Sequence, residues 1–364
     1  MDFSADDRAY LWFADAKMSG KTVHALLQIY HSPGAVWEQF EQAKALHLTP
    51  KQAELLEKSR QHLEQTMETL ASSDVHMLTE RHEQFPDRLR LINDAPYALF
   101  CKGNLGLLES RSIAVVGTRK PSYYGRKIAR QLAEQFGGLG ICVVSGFAMG
   151  IDTYAHQAAF ATKGRTCAVC GCGLNIEYPA DNHKLREDIL SHDGLLISEY
   201  TLDTVPVSYH FPFRNRIISA LSDIVFFVEG GLKSGGMHTV NRAIEQNKIV
   251  YAVPGNIDQE LSQGPNHLIA MGEAKFYHLF EDALEDLQLA DKAIAAPAAG
   301  SESRADELDG IQLDIYKLLK LAPRSFDEMV ELLKKAPDEV QVAVGYLEIL
   351  DYIVRVGGNT YQVR

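Results

Sequence analysis

The chain has 364 residues, 46% of them hydrophobic and 23% charged, and a formal net charge of −12 at pH 7. That size suits a globular protein of two or three domains with an ample core. The acidic total excludes indiscriminate attraction to nucleic acid and leaves room for a local basic patch.

The opening residues carry Asp2, Asp6 and Asp7 instead of a basic stretch, and no apolar run reaches roughly 18 residues, so neither a secretory signal nor a membrane span is expected. Five cysteines, four of them at Cys142, Cys167, Cys170 and Cys172, fit a reducing cytoplasm better than a disulfide framework.

From Asp6 to about Thr69 apolar residues recur at three and four, which predicts helices, with "HSPG" and "LTP" as turns. "KMSGKT" resembles a nucleotide-binding loop, but the glycine needed five residues before Gly20 is Asp15, and a helix rather than a strand precedes it. The segment reads instead as short helices around a glycine turn, a helix-hairpin-helix/SAM-like domain over residues 1–75. Such a unit either holds a phosphate at a helix start or simply packs.

From Ser112 to about Phe280, within an expected domain over residues 76–287, the pattern changes. "SIAVVG", "GICVVSG", "RTCAVCG", "GLLISE", "DIVFFVEG" and "KIVYAVPG" are short β-branched runs separated by segments of helical period. Strands alternating with helices predict a Rossmann-like, doubly wound, mostly parallel α/β sheet, in which ligands lie outside the carboxyl ends of the strands. Residues 288–308, rich in Ala, Ser, Pro and charge, predict a flexible linker. Residues 309–364 give three helical stretches, a capping box at Ser325 and Glu328, and a closing hairpin with a Gly-Gly-Asn turn, which together make a winged-helix domain.

The chemistry concentrates at the strand ends. "GTRKPSYYG", "SGFAMGIDTYAH" and "GCGLNIEYPADN" follow the first three strands; "FPFRNR" precedes the fifth and "EGGLKSGGMHT" follows it. Glycines let backbone amides approach an anion, helix starts add partial positive charge, and Arg119, Arg214 and Arg216 supply forks that match phosphate oxygens. Several such loops on one edge point to phosphate or phosphodiester recognition. The dinucleotide fingerprint is missing after the first strand, and no acidic pair marks a magnesium site. Asp152 and His156, four apart on one helix, are a base and its partner or a dipole-complementing acid and a packed imidazole. Cys167, Cys170 and Cys172 read as packed thiols, because strand alternation sends Cys167 to the opposite face from the other two. No cofactor, metal or catalytic residue is expected. Phe211, Phe213, Tyr123, Tyr124, Tyr178 and Tyr209 lie beside the arginines and offer base-stacking surface or fill the core beneath.

In order, "IAVVGTRKPSYYG", "SGFAMGIDTYAH", "GCGLNIEYP", "ISEY", "FPFRNRIISALSD", "EGGLKSGGMHT" and "VPGNIDQELSQGPNHLIAMG" closely resemble the DNA-processing protein A (DprA/Smf) family over about Ile113 to Gly272. The resemblance implies a cytoplasmic, non-enzymatic protein that binds single-stranded DNA, loads a RecA-type recombinase onto it in natural transformation, and dimerises through the Rossmann-like domain. It implies DNA contacts from Gly117, Thr118 and Arg119; from Gly146 in the second loop; from Phe211, Arg214, Asn215 and Arg216; and from Ser234, Gly235 and Gly236, with Thr239 completing that turn.

Two features depart from the family's pattern. Met149 stands where its second loop carries an arginine, which raises the question of whether Lys163 or Arg165 compensates. The last helix, "PDEVQVAVGYLEIL", carries Asp338, Glu339 and Glu348 and no cation, so the tail is expected to contact protein rather than read duplex DNA. The competing reading is a nucleotide- or nucleoside-processing enzyme using the same crevice, with Glu199 or Glu229 as acid or base.

Overall fold

The computed structural model describes residues 3–287, 308–349, 352–357 and 359–363. The chain divides into two compact units, Met1–Ala295 and Ala296–Arg364. The expected linker over 288–308 lies outside the described residues except for Leu308, which packs into the core of the second unit.

The first unit is a mixed α/β structure that opens with five helices: α1 (Ala5–Asp15), α2 (Gly20–Tyr30), α3 (Pro33–Glu38), α4 (Phe40–Leu46) and α5 (Pro50–Ala71). Hydroxyls set four of their starts: Ser4, Ser19, Ser32 and Thr49 each accept a hydrogen bond from the amide three residues on. The bundle closes around Trp12, which is fully buried, donates its indole N–H to Leu56 O at 2.8 Å, and meets Trp37 and Phe40 edge to face. In "KMSGKT", a Cβ on Gly20 would stand 2.5 Å from Ala95 O. That glycine permits close packing, which accounts for its presence without any phosphate.

A nine-stranded sheet follows: β1 (His76–Thr79), β2 (Ala98–Gly103), β3 (Ser112–Val116), β4 (Cys142–Ser145), β5 (Thr166–Cys170), β6 (Leu195–Ser198), β7 (Ile224–Phe227), β8 (Ile249–Ala252) and β9 (Lys275–Phe276). Their order is β1-β2-β6-β5-β4-β3-β7-β8-β9; β3 to β9 run parallel to one another, β2 pairs antiparallel with β6, and β1 antiparallel with β2. The six apolar runs of the sequence are β3 to β8. The remaining helices of this unit are α6 (Asp87–Arg90), α7 (Tyr123–Gly138), α8 (Ile151–Ala161), α9 (His183–Ser191), α10 (His210–Leu221), α11 (Gly235–Glu245), α12 (Gln263–Ala270) and α13 (Phe280–Asp286).

Alternation along β3 distributes these helices over both faces. Ile113 and Val115 pack with α7 and α8, whereas Ala114 and Val116 pack with α10 and α11. After β3 the chain lays β4, β5 and β6 to one side, then returns to lay β7 and β8 on the other. The loops leaving β3 and β7 therefore diverge, and a crevice opens between them at the carboxyl edge.

The second unit holds α14 (Gly310–Leu321), α15 (Phe326–Leu333) and α16 (Pro337–Ile349), with β10 (Arg324–Ser325), β11 (Ile353–Gly357) and β12 (Thr360–Val363) in the order β10-β12-β11. The capping box at Ser325 and Glu328 is formed. On α16, Asp338, Glu339, Val342, Tyr346 and Glu348 are exposed. Among the described residues no helix is long and apolar enough to cross a membrane.

Because Trp12 fills the bundle centre, truncation to alanine should lower unfolding free energy by about 3–5 kcal/mol. Denaturant titration checks this; a loss below about 1 kcal/mol would mean that the bundle is held elsewhere.

Candidate nucleic-acid interface

The crevice is built by glycines that let backbones meet. Thr118 N donates to Glu229 O at 2.8 Å, stitching the chain past β3 to the chain past β7. A Cβ on Gly117 would stand 2.7 Å from Ile151 Cγ1, and one on Gly236 would stand 3.1 Å from Gly117 Cα. The turn after β3 folds over the buried Glu229 carboxylate, which accepts the amide of Ser122 at 2.9 Å and the Ser122 hydroxyl. Held this way, the turn leaves Arg119 and Lys120 exposed. Opposite stands the start of α11, with Ser234, Gly235 and Gly236. Ser234 Oγ is buried without a hydrogen-bond partner among the described residues.

Between these walls lies a cleft of about 690 Å³ lined by Gly117, Thr118, Arg119, Phe211, Arg214, Asn215, Ser234, Gly235 and Gly236. The structure thus brings together nine of the eleven residues expected to contact DNA. Gly146, a tenth, lines a recess of about 50 Å³ beside the cleft, together with Arg119, Tyr178 and Phe211. Phe211 rests on Gly171, where a Cβ would stand 2.7 Å from its ring. The Arg119 guanidinium lies 5.8 Å over that ring and Tyr178 5.3 Å from it, so a cation and two aromatic faces share one spot.

The two arginines of "FPFRNR" do different work, because the segment is the first half of α10 and not a loop. Two residues apart on a helix means about 200° of rotation. Arg214, 4% exposed, turns toward the sheet: Nη1 donates to Gly146 O at 2.6 Å and to Val169 O, and Nε donates to Asn215 Oδ1 at 3.1 Å. It clamps the chain around β4 and β5, and Nη2 has no acceptor among the described residues. Arg216 turns away. It is fully buried, pairs with Glu199 at 2.5 Å, donates to Asp94 O at 2.8 Å and stacks 3.8 Å over Phe213. The expectation that Arg216 contacts DNA is therefore corrected: its donors are consumed in the core, behind the cleft.

Sequence reasoning also missed the part played by Asp152. Its carboxylate accepts the amides of Gly146 at 3.1 Å and Ala148 at 3.3 Å, folding the second loop around itself. An acid that follows a glycine-rich turn and opens a helix was the available signal. His156 does not meet it; that ring is buried against Thr166 Oγ1 at 2.6 Å, with Nε2 unpartnered. Met149 is 45% exposed at the recess. Arg165 pairs with Asp193 at 2.7 Å, and Lys163 follows α8, whose eleven residues span about 16 Å from the crevice. Neither supplies a donor in its place.

Glu199 and Glu229, the carboxylates of the enzymatic reading, are engaged by Arg216 and Ser122 and do not line the cleft. All five cysteines are buried and free. Cys167 and Cys170 face opposite sides of the sheet. Among the described residues no group of three or more His, Cys, Asp or Glu is arranged to hold a metal ion.

Residues 76–288 match the family model described as DNA recombination-mediator protein A. The chain belongs to that family. It is 35% identical to Protein Smf of Escherichia coli over 323 residues, covering 87% of this chain and 85% of that protein. Over 206 residues it is 42% identical to DNA processing protein DprA of Streptococcus pneumoniae, covering 56% and 71%. Among solved structures it is similar to DNA processing protein A from Streptococcus pneumoniae, with TM-score 0.67 and 33% identity over 78% of this chain and 98% of that one. DNA processing protein A from Helicobacter pylori, described for its single-stranded DNA binding mode, gives TM-score 0.54 and 30% identity over 60% and 97%.

In this member of the DprA/Smf family the loop acid has a titration signature. Burial pushes Asp152 up from 3.8 to about 6, opposed by the nearby Arg214 charge and the loop amides. The folded state therefore holds a proton that the unfolded state releases, and this contribution to stability is lost as pH rises from about 4 through 6. The shift corresponds to about 3 kcal/mol. Buried His156, pushed down from 6.5 to about 3, acts oppositely and loses stability as pH falls below 6.5. The difference between Asp152→Asn and wild type isolates the first effect. It should move in the variant's favour by about 2 kcal/mol between pH 4 and 7 in urea titrations; parallel profiles would contradict the assignment.

Proposed function

We propose that this chain is a single-stranded DNA-binding recombination mediator that grips the phosphate backbone along the crevice and loads a RecA-type recombinase onto it during natural transformation. The observation that carries the reading is the Arg119 fork standing over the Phe211 ring within a glycine-walled cleft: a phosphate partner beside a stacking face. Gly235 and Gly236 supply helix-start amides for phosphate oxygens, Thr118 and Ser234 offer their hydroxyls because their own amides bond Glu229 O and Gly231 O, and Gly117 lets the chain past β3 come close. Gly146 borders the recess, and Asn215 lines the cleft wall. Arg214 acts through its clamp on the loops, with Nη2 as the donor left for the strand.

Membership of the family, and relatives named for DNA processing and for single-strand binding, support the substrate class. The protein works in this reading as a cytoplasmic homodimer and performs no catalysis. The sheet unit is its Rossmann-like core, α1 to α5 its helix-hairpin-helix/SAM-like domain, and the tail its winged-helix domain. The acidic, part-apolar face of α16 suits protein contact better than DNA.

Arg119 is exposed, so Arg119→Ala should fold normally, bind single-stranded DNA more weakly and lower the slope of log affinity against log salt by roughly 0.7. Fluorescence titrations over a salt series measure both. Unchanged affinity and slope in a folded variant would remove Arg119 from the interface. Arg214→Ala should instead lower stability, because it strands the carbonyls of Gly146 and Val169, each at about 1–3 kcal/mol.

A further inference from the structure

The edge that carries the cleft continues beyond Phe211 toward the helical bundle. Because β2 runs antiparallel to β6, it starts where β6 ends. The residues just before it meet the turn between α1 and α2: the Tyr97 hydroxyl donates to Met18 O at 3.0 Å, and Gly20 packs on the Ala95 carbonyl. That turn therefore presents the exposed Lys17 on the same edge as Arg119. From β3 to β2 this edge crosses four strand spacings, about 19 Å. Lys17 is thus an addition to the Arg119 contact, well separated from it.

An aromatic ridge joins the two ends. His210 stacks on Tyr200 with ring centres 3.9 Å apart, and Tyr209 stands edge-on to His210 at 4.7 Å. Tyr209 is 67% exposed, although it immediately precedes the half-turn bearing Phe211. His210 is 2% exposed, and its Nδ1 has no hydrogen-bond partner among the described residues. Burial holds this imidazole below its ordinary pKa, and the Lys17 charge adds to the shift. Lys17 has no ion-pair partner among the described residues; Asp15, two residues before it, lines a separate hollow of about 180 Å³ together with Asp203.

We propose that the bound strand runs on from the Phe211 cleft across Tyr209, which stacks a base, to the α1–α2 turn, where Lys17 pairs with a phosphate. The proposal rests on the single-strand reading above and gives the helical bundle a direct part in it. An exposed tyrosine beside a cation offers a flat face on which a base of any sequence stacks.

The test compares two oligonucleotides of one composition, roughly 4 and 16 nucleotides long, the span of site sizes that single-strand grooves cover. Full-length wild type, Tyr209→Ala/Lys17→Gln, Tyr209→Phe and Arg119→Ala are titrated at low salt. Both altered side chains of the double variant are exposed, and its thermal unfolding should match wild type. The double variant should lose about tenfold in affinity for the long strand and almost nothing for the short one. Tyr209→Phe should keep wild-type affinity for both. Arg119→Ala should weaken both lengths. Equal binding of the long strand by the double variant, an equal loss on both lengths, or a wild type that gains nothing from length would each overturn the extension. If Arg119→Ala alone leaves all binding unchanged, the parent reading fails instead.

Discussion

The crevice depends on one buried guanidinium. Arg214 has almost no access to water, yet its donors reach the carbonyls of Gly146 and Val169 and the side chain of Asn215. Desolvation disfavours its charge, which Asp152 helps to hold. A buried cation without that set of acceptors would cost several kcal/mol. With it, α10, the chain at β4 and the end of β5 become one rigid corner. The loop amides then turn to Asp152, and the Phe211 ring lies down on Gly171.

Rigidity at that corner is what would let an acidic protein hold an anion there, as proposed. At −12 overall, the molecule repels a polyanion from most of its surface. In the proposed reading the attraction is local: Arg119 and Lys120 pushed out by the turn over Glu229, amides at the start of α11, and Lys17 at the far end of the same edge. Field lines of the opposite sign elsewhere confine the polymer to that seam. In that reading, selection between single strand and duplex falls to the aromatic faces beside the cations, because only an unpaired base can lie flat on Phe211 or Tyr209.

Much of this was legible in the sequence. The runs that became β3 to β8 were visible because a strand buried on both faces is a continuous apolar stretch, and the loops because glycine at a strand end is a local signal. β1 and β2 were not: they pair antiparallel at the sheet's margin, with no crossover helix to announce them. The identity of the cleft residues was readable, but their orientations were not. "FPFRNR" looks like two equivalent forks, and only its being helical separates Arg214 at the cleft wall from Arg216 in the core. Likewise Asp152 looked like a helix-dipole acid until the loop was seen folded round its carboxylate. Tertiary geometry decides such cases, since the same residues at the same spacing serve either role.

The central claim is that one carboxyl edge of the sheet carries the strand. Hydrogen–deuterium exchange of the full-length protein, with and without a saturating single-stranded oligonucleotide, tests it most directly. The account predicts slower exchange at residues 117–120, 146–150 and 234–236. Protection confined to α14–α16 or to the opposite edge of the sheet, with those loops unchanged, would contradict it.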